Sequence, residues 1–131
     1  METIKSYTDI PQSIKLDEIL PLKSADLYYS YYGNPKYNPT FAYEGEQWFL
    51  SKDLNAIHDI PCWSLETLLK IIPKHINDYN VLRIDISDNN FAIWYDEIGY
   101  GVNNELPNIT KESAVDACVQ MIIELNKMNL I

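Results

Sequence analysis

Apolar and polar residues alternate most regularly in the stretch that begins at Asn80. Leu82, Ile84 and Ile86 take every second position, with Val81, Arg83, Asp85 and Ser87 between them, and after Asp88-Asn89-Asn90 the alternation resumes at Phe91, Ile93 and Tyr95. A period of two places these six apolar residues on one face of a β-hairpin spanning about residues 81–95. With Asp88 and Asn89 as a two-residue loop, both of a type that tolerates positive φ, Ile86 pairs with Phe91, Ile84 with Ile93 and Leu82 with Tyr95. A loop of Asn89 and Asn90 keeps the facing and shifts the partners. Gly99 and Gly101 then break the pattern, and Tyr100 to Asn103 form a candidate third strand.

Elsewhere the period is helical. Ser64 offers an N-cap, Glu66 suits the positive helix end, and Trp63 and Leu68 stand at the two positions of a hydrophobic staple. Leu65, Leu68, Leu69 and Ile72 make one stripe that Pro73 ends, which predicts a helix over about residues 65–72. Val115, Cys118, Val119, Ile122 and Leu125 recur at the same spacing, with Lys111, Glu112, Asp116, Gln120, Glu124 and Lys127 mostly outside. This predicts the longest helix, about 111–128, capped by Thr110. Ile10, Ile14 and Leu16 to Leu20, punctuated by Pro11 and Pro21, predict a short N-terminal helix of about 11–20. One-faced helices and a one-faced hairpin bury each other as an α+β domain, with a small antiparallel sheet of three to five strands and residues 1–131 forming a single unit.

Six of the ten tyrosines fall between Asp26 and Tyr43: Tyr28, Tyr29, Tyr31, Tyr32, Tyr37 and Tyr43. Aromatic residues favour strands, so Leu27 to Tyr32 is a candidate strand, Asn34 to Thr40 a loop and Gln47 to Leu50 a second short strand, with Ser51 to Pro61 polar and irregular. Successive tyrosines on a strand face opposite sides. Either some are exposed, as a contact surface of stiff amphipathic rings, or both faces are covered.

The charge narrows the function classes. The chain has 131 residues, 10 Lys+Arg against 19 Asp+Glu, and a net charge of -9, with Arg83 its one arginine. Direct nucleic-acid binding is not expected, because phosphate neutralisation needs clustered Lys and Arg. A hydrophobic share of 47% fits an ordinary globular chain. The N-terminus lacks a basic region followed by an apolar run, and no stretch reaches the roughly 18 apolar residues of a membrane span, so a cytoplasmic protein without membrane attachment is expected. Cys62 and Cys118 read as small core residues, and a disulfide between them is not needed.

Candidate chemistry is sparse. His58 and Cys62 are four residues apart, but Pro61 disrupts helical geometry between them, and His75, Cys118 or carboxylates would have to complete a zinc site. No metal and no cofactor are expected. A cysteine nucleophile assisted by His58 or His75 lacks any local signature. Asp85 and Asp88 near the hairpin turn, and Asp96 and Glu97 at its end, would serve a hydrolase only inside a cleft that drives their pKa values apart. The four glycines form no phosphate-binding loop.

Ile60-Pro61-Cys62-Trp63-Ser64-Leu65, the C-terminal run Val115 to Asn126, Glu18-Ile19-Leu20-Pro21 and Ser24-Ala25-Asp26 together resemble a family of short uncharacterised proteins from gut-dwelling bacteria, often found in phage-like or mobile-element contexts. The resemblance implies an α+β fold and a cytoplasmic setting, and it lends no activity and no catalytic residue. The expectation that follows is a non-enzymatic module that contacts a protein partner through the six tyrosines. The alternative is a small hydrolase or carbohydrate-binding protein that uses Asp/Glu in an aromatic-lined cleft.

Overall fold

The computed structural model describes residues 5–29, 40–41, 60–97 and 106–131. Among them the chain forms α1 (Ile10–Asp17), a 3₁₀ turn (Leu22–Ser24), β1 (Leu27–Tyr29), β2 (Thr40–Phe41), β3 (Ile60–Cys62), α2 (Leu65–Ile71), β4 (His75–Ile76), β5 (Asn80–Ser87), β6 (Asn90–Glu97), β7 (Ile109–Lys111) and α3 (Ala114–Lys127). The fold is α+β, with two antiparallel sheets ordered β2-β1-β3 and β4-β5-β6-β7. The expected strands at 47–50 and 100–103, and the loop over residues 34–39, lie outside the described residues.

The hairpin has the register that its alternation predicts: Ile86 opposite Phe91, Ile84 opposite Ile93 and Leu82 opposite Tyr95. The loop is Asp88-Asn89, but neither residue takes positive φ; among the described non-glycine residues only Asn77 and Asn129 do. Both of those are asparagines at chain reversals, where the left-handed conformation is tolerated. At Asn77, in the turn from β4 to β5, the side-chain carbonyl accepts from the Tyr79 amide (2.8 Å) and from the Asn80 amide group (3.1 Å). At Asn129, after α3, Leu130 N–H reaches back to Leu125 C=O (2.9 Å) and Asn129 N–H to Asn126 C=O (3.0 Å), the paired bonds of a Schellman cap.

Helix α3 begins later than the sequence suggests. Thr110 does not cap it; Ile109–Lys111 pairs with β6 as β7, and Ser113 accepts the Asp116 amide as the N-cap. Threonine and serine serve equally as caps, and β-branched Ile109 and Thr110 satisfy the otherwise open edge of β6. Once started, α3 buries Val115, Ala117, Cys118, Val119, Met121, Ile122 and Leu125, and the main core joins them to Phe91, Ile93 and Tyr95 of β6 and to Trp63, Leu68 and Ile72 around α2. Ser64 caps α2 as its sequence predicts, accepting from the Thr67 amide, and its own amide and hydroxyl donate to the Asp26 carboxylate at 2.9 and 2.5 Å.

Ile60–Cys62 is a strand, although the sequence reads as irregular up to Pro61. It lies at an edge of its sheet, opposite Tyr28, where the missing proline N–H costs no ladder bond. This smaller sheet is joined to α1 and α2 through Thr8, a fully buried residue. The Thr8 hydroxyl accepts from Trp63 N–H (3.2 Å) and lies 2.7 Å from the Ser13 hydroxyl, while its carbonyl accepts from the Tyr29 hydroxyl (2.7 Å). Thr8→Val keeps the shape and strands the Trp63 amide and Ser13. A loss of about 1–3 kcal/mol in urea unfolding is expected, with Thr8→Ser close to wild type. Equal stability of Thr8→Val and wild type would show that this hub does not hold the sheets together.

Candidate interaction surface

The six tyrosines do not form one observed surface. Tyr29 points into a small core with Leu27 and Cys62 and is 6% exposed; burial pushes its hydroxyl well above the ordinary tyrosine range. Tyr28 lies on the opposite side of β1 and is half-buried. Tyr31, Tyr32, Tyr37 and Tyr43 are outside the described residues, as is His58.

Among the described residues, Ile14, Tyr79, Met128 and Leu130 are exposed singly, whereas Ile84 and Ile86 are exposed together on one face of one hairpin strand. The alternation predicts Leu82, Ile84 and Ile86 on a covered face, and the structure corrects this for the far half of β5. Ile84 is 42% and Ile86 76% exposed, whereas their partners Ile93 and Phe91 are buried. The reason is one of size. A helix is about 10 Å across and strands lie about 4.8 Å apart, so one helix covers roughly two strands. Helix α3 packs on β6 and β7. Helix α2, with 7 residues, is only ~10 Å long, against ~27 Å for the 8 residues of β5. It packs on α3, and a groove lined by its Leu69 together with Leu82 and Ile84 separates it from β5.

Ile84 and Ile86 lie on the outer edge of the four-stranded sheet as its described strands form it. Strand β4 has only His75 and Ile76, and its pairing ends where Leu82 N–H donates to Lys74 C=O (2.8 Å). Beyond this point no described strand accompanies β5 on that side. At the foot of the open edge is a groove of about 470 Å³ lined by Leu69, Lys74, Leu82, Arg83 and Ile84. The Lys74 ammonium is held there by Leu69 C=O and by Ile72 C=O (3.3 Å). Across the outer sheet face, Arg83 stands opposite Trp94, and Asp96 bridges them, accepting from the indole N–H at 2.8 Å and pairing with the guanidinium at 3.4 Å. Sequence reasoning missed this edge. Its signal was the number of apolar hairpin positions set against one long helix at about 111–128 and a much shorter one at about 65–72.

The candidate chemistry is not brought together. Asp85, Asp88, Asp96 and Glu97 are exposed and line neither this groove nor a second one between α1 and α3. That second groove does contain carboxylates, Asp9 and Asp116, but both are clamped by Lys5, at 2.9 and 2.8 Å. Burial would raise Asp116, yet its bonds from Lys5 and from Gln12 (2.7 Å) prevail and hold it below the ordinary carboxylate range, the reverse of a general acid. Burial opposes the charge of Lys5 too, and its two carboxylate bonds hold it above the ordinary lysine range. Among the described residues no three His, Cys, Asp or Glu side chains form a group that could hold a metal ion. No helix among them is long and apolar enough to cross a membrane.

Both cysteines are free, and burial raises both thiols, Cys118 to about 12. Neither is a thiolate at neutral pH. A disulfide-exchange reagent at pH 8 is expected to label neither within minutes in the native chain and both in urea; rapid native labelling would contradict this packing. The clamp has its own pH signature. Asp116 is lowered, so its contribution is complete above its unfolded pKa and fades as pH falls through the folded value. The contribution of Lys5, which is raised, persists until the pH exceeds the ordinary lysine range. Asp116→Asn is expected to cost about 0.5–1 kcal/mol at pH 7, and urea titrations should show the gap to wild type closing as the pH falls below the ordinary aspartate range.

The chain matches no family model, no curated protein and no solved structure.

Proposed function

We propose that the protein is a non-enzymatic interaction module that binds another protein through the outer half of its hairpin. One observation carries the reading: Ile84 and Ile86, on a strand edge that no described strand covers, are the exposed apolar residues of an otherwise buried face. Apolar side chains beside open backbone groups form a surface that gains from a partner. The hydrolase reading is less well supported, because the carboxylates that line a described groove, Asp9 and Asp116, share bonds from the same Lys5. A phage-like or mobile-element setting rests on the sequence resemblance alone.

The tyrosine-rich segment is the second surface to test, and one experiment separates the two. A photo-crosslinking residue is placed at position 86, at position 32 or, as a control on α3, at position 124, and the protein is exposed to the lysate of its host. Crosslinks from position 86 that disappear in Ile84→Lys, a variant expected to stay within about 0.5 kcal/mol of wild-type stability, support the hairpin surface. Crosslinks from position 32 that are indifferent to Ile84→Lys assign contact to the tyrosines instead. Equal labelling from all three positions removes the interaction reading.

A further inference from the structure

We draw no further inference here: the strongest candidate, the outer edge of β5 at Ile84 and Ile86 with the groove of Leu69, Lys74, Leu82, Arg83 and Ile84 at its foot, belongs to the surface already described, and nothing in the structure shows what covers it.

Discussion

The width of a helix limits how much sheet it can cover, and most of this architecture follows from that limit. Helix α3 is the one long amphipathic helix among the described residues, and its stripe from Val115 to Leu125 is fully consumed by β6, β7 and α2. Ile93, opposite Ile84 on the hairpin, is completely buried under it while Ile84 is not. Adjacent strands of one hairpin thus have different fates, although their patterns are the same. The rest of the molecule is organised around what α3 leaves over. Helix α2 packs on α3, and the N-terminal segment crosses to α2, where Thr8 N–H donates to Trp63 C=O and Leu65 N–H to Ser6 C=O, both at 3.0 Å.

The smaller sheet is held by a different kind of interaction. Among the described residues its buried apolar cluster is Leu27, Tyr29 and Cys62, with Tyr7, Ile10 and Ile60 packed against it. Hydrogen bonds to Thr8 supply the connection: the Tyr29 hydroxyl meets its carbonyl, the Cys62 thiol lies 3.4 Å from its hydroxyl, and the Trp63 amide donates to that hydroxyl. Every buried side-chain polar atom among the described residues has a partner. A polar hub of this kind strengthens a fold only when it is complete, because each unmatched group in a low-dielectric setting would cost more than a bond returns.

These differences explain which parts of the structure were legible in the sequence. For Leu82 to Tyr95 the shared face could be read from a period of two, while the choice of the Asp88-Asn89 loop over Asn89-Asn90, which sets the partners, is made by the structure. Ser64 and α2 could be read because cap, staple and terminal proline agree. The choice between Thr110 and Ser113 as the cap of α3 could not, since it was decided by the need of β6 for a neighbour, a tertiary demand. Nor could the strand at Ile60–Cys62, where local chemistry opposes an extended ladder and only edge position permits it. The candidate surface was hidden for the same reason. Alternation tells which residues share a face, and coverage of that face depends on the dimensions of elements far away in sequence.

Exposed apolar residues on an open edge are also the usual seed of aggregation, so the sequence between them matters. Ile84 and Ile86 are separated by Asp85 and bounded by Arg83, Ser87 and Asp88. Had the strand been apolar on both faces, any extended chain, including another copy, would pair with it. Asp85 penalises a symmetric pairing of two copies centred on it, and the Leu82 amide, already held by Lys74 C=O, is closed to any further strand. Both devices narrow the registers in which the exposed strand could pair with a second copy. Restraint at this edge therefore comes less from the apolar contacts, which any strand could make, than from Asp85 and the short β4, which decide which registers can form.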